Sequence, residues 1–351
     1  MAFILQIFII FISLLSKSIS FTFNNPQFGL KTSSYNNIKK KILKMSFSDL
    51  VLSSISKEIS GANHKEFVAS SSSSVSGGGG GASVGIIKDE NSNQEYFVKM
   101  ASTDSGYDML NAEYLGIKEI YDSNTIRVPQ PICIGSTDFN SFVVFEKISM
   151  GGRSSPTRAS EAGRLLAKMH KTYSKNGQYG WKINNTIGAT IQPNVWTSSW
   201  AEFWDQHRLG HMMNLANKHG ATFSNEIKTE LREKVKIILE LHSNCKPSLV
   251  HGDLWSGNQA YTSSGEYVIY DPASYYADRE VDLAMTKLFG LQSSQFYDAY
   301  EEEYPLNDVE HYEIRTTIYN LYHILNHYVL FGGGYLSTAH NMIGKILKYE
   351  L

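Results

Sequence analysis

One stretch constrains this chain more than any other: LVHGDLWSGN (Leu249–Asn258), followed by a short hairpin and then by Asp271 in YDPA. Asp253 stands two residues after His251, Asn258 five residues after Asp253, and Asp271 thirteen residues after Asn258. The intervening GNQAYTSSGEYVIYDPA (Gly257–Ala273) reads as two β-rich runs turned back by TSSGE. A lone aspartate in a loop is ordinarily a turn or cap residue. The combined spacing, with an apolar strand leading into Asp271, has a chemical use. One carboxylate can take a proton, while an amide oxygen and a second carboxylate can hold a hard cation.

The rest of the chain supplies a frame for that loop. MSFSDLVLSSISKEIS (Met45–Ser60) reads as an amphipathic opening helix with Ser48 as its cap. SVGIIKD (Ser83–Asp89) and EYFVKMA (Glu95–Ala101) read as strands joined by the polar turn ENSNQ. YDMLNAEYLGIKEIY (Tyr107–Tyr121) has helical spacing, and PQPICIGS and SFVVFEKI (Ser141–Ile148) are strand-like. After residue 148 the pattern turns helical, as in RASEAGRLLAKMHKTY and SNEIKTELREKVKIILELH, and the hairpin before Asp271 is the single sheet interruption expected there. No internal repeat is present. The expectation is a bilobal α+β fold, with a small mixed β-sheet N-lobe over 49–148 and a larger, mainly helical C-lobe over 149–351.

Protein kinases carry H-R-D-x-x-x-x-N followed by a metal-binding Asp. The spacing is kept here with Gly252 in place of Arg, which makes Asp253 the candidate base and Asn258 and Asp271 the candidate Mg2+ ligands. The D-F-G triplet becomes Asp271-Pro272-Ala273, so protein-kinase activation-loop logic does not carry over. Such chemistry also needs an amine at the ATP phosphates and a carboxylate to fix it. Lys99 in YFVKM and Glu113 on the next predicted helix meet that need in the expected order. Backbone groups of Glu146, Lys147 and Ile148, at the lobe junction, are candidates for holding adenine. ASSSSSVSGGGGGASVG (Ala69–Gly85) by composition alone is a flexible linker. Its position directly before the strand that pairs with the Lys99 strand makes Gly79, Gly80 and Gly81 part of a phosphate-covering loop instead, with the serines as a mobile lead-in. It is neither a Walker A motif nor G-x-G-x-x-G.

Composition bounds the partners. With a net charge of −2, no basic field argues for nucleic acid. The two cysteines, Cys133 and Cys245, form no disulfide framework and no zinc-type spacing. No Asp or Glu precedes Asp49, whereas six lysines do, so 26 basic residues face 34 acidic ones in the remainder. Ala2–Leu15 is apolar but short for a spanning helix, and it suits a signal-peptide core followed by small residues. The acid-free, Ser/Thr/Asn/Lys-rich stretch to Ser48 has the composition of a transit peptide. Together they resemble the bipartite presequence of a complex plastid. The alternatives are a secretory signal with a spacer, or translation from Met45 and a cytosolic protein. No membrane role is expected for the mature protein.

HGDLWSGN (His251–Asn258) and YDPASYYADREVDLAM (Tyr270–Met285) are more specific than a generic kinase loop, and with them the chain resembles the fructosamine-3-kinases, or ketosamine kinases. NTIGATIQPN (Asn185–Asn194), SWAEFWDQHRLG (Ser199–Gly210) and LNHYVLFGGGY (Leu325–Tyr335) match family segments too, and the likeness over residues 47–350 is greatest to the bacterial and plant branch. The resemblance implies ATP-dependent phosphorylation of the O3 hydroxyl of a ketosamine, after which the 3-phosphate eliminates and frees the amine. It implies Asp253 as base, Asn258 and Asp271 on Mg2+, and Lys99 with Glu113 on phosphate. Trp255 is placed to stack a sugar face or to pack against the helical lobe. His327, with Asn326, either lines the sugar pocket or forms a buried structural pair, and Asp282 braces the catalytic loop. Many relatives carry a redox-sensitive cysteine after the glycine run, where this chain has Ala82, so little redox response is expected. A monomer or weak dimer is expected. The competing readings are an aminoglycoside- or choline-kinase-like phosphotransferase and a catalytically dead nucleotide-binding scaffold.

Overall fold

The computed structural model describes residues 49–63, 66–75, 82–242, 245–290, 292–306 and 308–351. The tail with its targeting expectation, the Ser48 cap and the run Gly77–Gly81 lie outside the described residues. All that is described belongs to one compact unit, Phe47–Leu351.

The chain opens with helix α1 (Asp49–Asn63) and then builds a five-stranded sheet of order β1-β2-β3-β5-β4. Its strands are β1 (Ala69–Val75), β2 (Ser83–Asp89), β3 (Glu95–Ser102), β4 (Pro131–Ser136) and β5 (Asn140–Glu146), with helix α2 (Thr103–Asp122) between β3 and β4. The sheet expected as mixed is antiparallel at each of its pairings. The reason is that α2 carries the chain past the position of β5 to the edge, so β3 and β4, which run the same way, never touch. The β2–β3 turn is closed by Asp89, whose carboxylate accepts from the backbone N–H groups of Val68, Asn91 and Ser92.

Strand β5 shows how the sheet sorts its neighbours. Phe142 and Val144 pack with Val51, Ile55 and Ile59 of α1, while Val143 and Phe145 belong to the larger core on the other face. That is the two-residue alternation of a strand buried on both sides. On β3 the same alternation puts Val98 on the α1 side and its neighbour Lys99, opposite Val143, on the α2 side. On α2, Leu110, Ile117 and Ile120 lie in the larger core, and Glu113 shares their face at helical spacing.

After β5 the chain is helical: α3 (Pro156–His170), α4 (Trp200–Trp204) running through a π-helical turn (Asp205–Gly210) into α5 (His211–Lys218), α6 (Asn225–Glu240), α7 (Glu280–Leu288), α8 (Ser294–Glu303), α9 (Tyr312–Phe331) and α10 (Tyr335–Leu347). Ser155 and Ser224 cap α3 and α6 through their side chains. The expected hairpin is present as β9 (Gln259–Tyr261) and β10 (Tyr267–Ile269). It is not the single sheet interruption. β6 (Asn185–Ile187) pairs with β7 (Thr190–Gln192), and β8 (Ser248–Val250) with β11 (Tyr275–Ala277). Three-residue strands are too short to show an alternation in sequence.

The serine run is the other correction. Ala69–Val75 is not a lead-in to a loop but strand β1, paired with β2 through a bulge between Ser71 and Ser73. An edge strand is held by its backbone ladder, so it forms without the apolar periodicity that marks the inner strands. No helix among the described residues is long and apolar enough to cross a membrane.

Candidate active site

Strand β8 ends at Val250 and delivers HGD into a loop that doubles back through a single 3-10 turn (Ser256–Asn258) to β9. The loop is gripped from below by the buried carboxylate of Asp282 on α7. Its oxygens accept from the backbone N–H groups of His251 at 2.7 Å and Gly252 at 2.8 Å, and from His170 Nε2 at 3.1 Å. His170 is fixed in turn by the Tyr300 hydroxyl, 2.7 Å from Nδ1. Burial holds both His170 and His251 below the ordinary imidazole range, so each is neutral at pH 7. Neutral His251 donates from Nε2 to the Tyr270 carbonyl and accepts the Asp253 N–H at Nδ1, tying the catalytic loop to the residue before Asp271.

Gly252 could not be another residue. Its φ is +80°, and a Cβ there would lie 2.3 Å from the Ala273 carbonyl oxygen. This is the physical reason for glycine where protein kinases carry Arg.

The structure brings five of the sequence-predicted residues into one place. Asn258 Nδ2 donates to the Asp253 carbonyl at 2.9 Å, to Asp253 Oδ2 at 3.1 Å and to the Asp271 carbonyl at 3.3 Å. With the nitrogen spent on those oxygens, Oδ1 is the amide atom left to meet a cation. Asp271 adopts a left-handed φ of +57°, uncommon outside glycine, and its carboxylate is half exposed. Lys99 Nζ lies 2.6 Å from Asp271 Oδ1 and 2.7 Å from Glu113 Oε1. Burial opposes the charge on Lys99, but the two carboxylates more than offset it and hold the ammonium above its ordinary range. The Asn258 oxygen and the Asp271 carboxylate are hard oxygen ligands suited to Mg2+.

Asp253 is perturbed in the other direction. Burial pushes its carboxyl up to about 7, against the hydrogen bond from Asn258 and with the help of Asp271 and Asp282 nearby. A carboxylate poised near neutrality is suited to taking a hydroxyl proton.

The remaining expected residues are placed less decisively. Gly79, Gly80 and Gly81 lie outside the described residues. The Glu146 side chain is paired with Arg127 and its N–H donates to the Gln130 carbonyl, so that amide is committed; Lys147 pairs with Glu95, and Ile148 follows at the junction. Trp255 is 39% exposed, with its ring laid over Gly257 of its own loop. Among the described residues, His327 on α9 shares no hydrogen bond with those five side chains. Its Nδ1 faces the His323 carbonyl, and its ring centroid is 4.7 Å from that of Phe289, whose carbonyl accepts from Ser256 in the catalytic loop. Asn326 is buried with Nδ2 on the Ile187 carbonyl. Ala82 is buried, and Cys133 is buried with its thiol pushed up to about 12 by desolvation.

Sequence reasoning did not find the layer beneath the Asp271 turn. Gln192 Nε2 donates to the Ala273 carbonyl, Asn185 Nδ2 to the Ser274 carbonyl, and Tyr322 to Gln192 Oε1. The fully buried Arg208 donates to Asn194 and stacks 4.1 Å from the Tyr275 ring centroid. Such amide–carbonyl contacts have no periodicity; the resemblance of NTIGATIQPN and SWAEFWDQHRLG to family segments was the available signal.

The fructosamine kinase family model matches residues 51–349. The chain belongs to the fructosamine kinase family. A protein of Synechocystis sp. assigned as a ketoamine kinase is 44% identical over 258 residues, covering 74% of this chain and 85% of that one. The chloroplastic protein-ribulosamine 3-kinase of Arabidopsis thaliana is 40% identical over 255 residues, covering 72% of this chain and 76% of that one. The crystal structure of an assigned fructosamine-3-kinase from Haemophilus somnus superposes with a TM-score of 0.74 at 28% identity, over 84% of this chain and 96% of that one. The streptomycin–ATP complex of an aminoglycoside phosphotransferase superposes with a TM-score of 0.51 at 12% identity, which is a likeness of fold alone.

The raised Asp253 carboxyl has a measurable consequence. A carboxyl near 7 when folded and near 3.8 when unfolded binds its proton more tightly in the fold. The stabilisation this gives is complete below about pH 4 and is lost as pH rises through 7. In chelator, without nucleotide, Asp253→Asn should therefore gain stability over the parent protein between pH 5 and pH 8, by about 2–4 kcal/mol. Melting curves at the two pH values check this; a difference that does not change with pH contradicts the assignment.

Proposed function

We propose that this protein is an ATP-dependent ketosamine 3-kinase that phosphorylates ribulosamines, and fructosamines, on the O3 hydroxyl. The observation that carries the reading is the convergence of Lys99, Glu113, Asp253, Asn258 and Asp271, within a chain of the fructosamine kinase family. Intact polar groups at all five positions disfavour a catalytically dead scaffold.

The placement of these residues supports the following reaction. ATP would lie between the sheet lobe (49–148) and the helical lobe (149–351), with adenine against the backbone of residues 146–148; Gly79–Gly81, proposed to cover the phosphates, lie outside the described residues. Lys99, held by Glu113, meets the α- and β-phosphate oxygens with a fixed charge. Asn258 Oδ1 and the Asp271 carboxylate would hold Mg2+, which would supply charge neutralisation at the phosphates. Asp253 would accept the O3 proton as that oxygen attacks the γ-phosphorus, while the bond from this phosphorus to the β-phosphate oxygen breaks and ADP leaves. Asn258 holds the base in place while it does so. Trp255, against its own loop backbone, offers a face for the sugar, and His327 a second wall. The 3-phosphate so formed is labile: it eliminates inorganic phosphate, and hydrolysis of the product by water releases the amine and a deoxy-dicarbonyl sugar, which would make the protein a deglycation factor.

The relatives of rice and Arabidopsis thaliana named chloroplastic, together with the acid-free tail before Asp49, support plastid targeting. A fluorescent fusion of residues 1–48 should reach the plastid in a host with complex plastids. Retention in the secretory pathway or a cytosolic signal would contradict this.

The two carboxylates should separate by measurement. Asp253→Asn should bind Mg-ATP nearly as the parent does, with turnover reduced by about 10²–10⁴-fold. Asp271→Ala should lose the thermal stabilisation that Mg-ATP confers. Near-normal turnover in the first variant, or unchanged stabilisation in the second, overturns the roles given.

A further inference from the structure

A second cluster of metal-ligating groups lies away from the catalytic loop. His242, just past α6, Cys245 and Asp278, which follows β11, present a nitrogen, a sulfur and an oxygen that all lie within 4.8 Å of one another. His242 Nε2 is 3.6 Å from Asp278 Oδ2. Two ligands of a tetrahedral ion with bonds of about 2.0–2.3 Å stand roughly 3.3–3.7 Å apart, so this pair is already at bonding separation. The three line a small cavity with Ser248, a residue 1% exposed whose hydroxyl has no hydrogen-bond partner among the described residues. That orphaned oxygen is an independent sign that the cavity takes a polar occupant.

The surroundings suit a cation. The two basic residues at the cavity are turned to other partners: Lys246 Nζ sits 5.2 Å over the Tyr173 ring, and the Arg279 guanidinium is bonded to the Tyr304 and Pro305 carbonyls. Asp278 is held in place by the Tyr319 hydroxyl and the Glu280 N–H. The far nitrogen of His242, Nδ1, is buried with no hydrogen-bond partner among the described residues, and the nearest carboxylate oxygen recorded for it, Asp308 Oδ2, is 3.6 Å away, beyond hydrogen-bond length. Cys245 and His242 are close in sequence, but the third ligand comes from a distant segment, which is why no zinc-type spacing can be read along the chain.

We propose that His242 Nε2, Cys245 Sγ and Asp278 bind one divalent transition-metal ion of the zinc type, with Ser248 Oγ or a water completing the tetrahedron. Mixed nitrogen, oxygen and thiolate donors select that class over Mg2+ and Ca2+. On loading, the Cys245 S–H bond breaks, its proton leaves to solvent and a sulfur–metal bond forms, with no change of oxidation state. The ion ties the end of α6 to Asp278, four residues before the Asp282 that grips the catalytic loop. It is a structural brace and does not depend on the kinase reading.

Chelator-stripped protein titrated with Co2+ tests it, because thiolate ligation gives a near-ultraviolet charge-transfer band that an all-oxygen site cannot. The expected result is one such ion per chain, with the band retained in Asp271→Ala and lost in Cys245→Ser. Zn2+ affinity should fall about 100-fold or more in Cys245→Ser and in His242→Asn, and Zn2+ should raise the melting temperature of the parent protein but not of these variants. Should Cys245→Ser not fold, His242→Asn carries the same comparison. No thiolate band in the parent protein, a band that survives Cys245→Ser, or binding lost only in Asp271→Ala overturns the proposal.

Discussion

The Asp282 carboxylate is the contact on which the catalytic arrangement rests. It is fully buried and accepts from two consecutive backbone N–H groups of the HGD loop and from neutral His170. Those donors hold it below the ordinary carboxylate range in spite of its burial. Removing one donor would leave the buried charge less fully compensated, a larger penalty than the net gain of an ordinary neutral hydrogen bond. The loop is therefore fixed before any substrate arrives, as electrostatic catalysis requires.

From that anchor the site is assembled by two chain reversals and one strand alternation. Gly252, in a left-handed conformation against Ala273, lets the loop approach the Asp271 turn. The β9–β10 hairpin then returns the chain so that Asn258 touches both Asp253 and Asp271. The sheet contributes through parity: Val98 points to one core, so Lys99 points to the other side, where Glu113 waits on α2. The site thus joins elements from both halves of the chain.

How much of this could be read from the sequence depended on the kind of interaction. Strands β2, β3 and β5 and the long helices were legible because they bury apolar residues at fixed periods, and the spacing in HGDLWSGN with the later Asp271 marked the site. Strand β1 was not, because an edge strand of serines has no apolar alternation to read, and its ladder with β2 is formed by backbone groups. The short pairs β6–β7 and β8–β11 escaped for want of length. The support under the Asp271 turn, from Gln192, Asn185 and the stacked Arg208, rests on side chain–carbonyl bonds between distant segments that leave no local pattern. Asp253, Asn258, Asp271, Lys99 and Glu113 were each assigned from order along the chain, and their mutual distances came with the structure.

Transfer of phosphate by this arrangement to O3 of a ketosamine can be read from 31P NMR of the product. Purified protein with Mg-ATP and a panel of ribulosamines, fructosamines, aminoglycosides and choline should yield a ketosamine phosphorylated at O3, with ribulosamines turned over at least as readily as fructosamines. Phosphate transfer to an aminoglycoside or to choline, with none to any ketosamine, would contradict it.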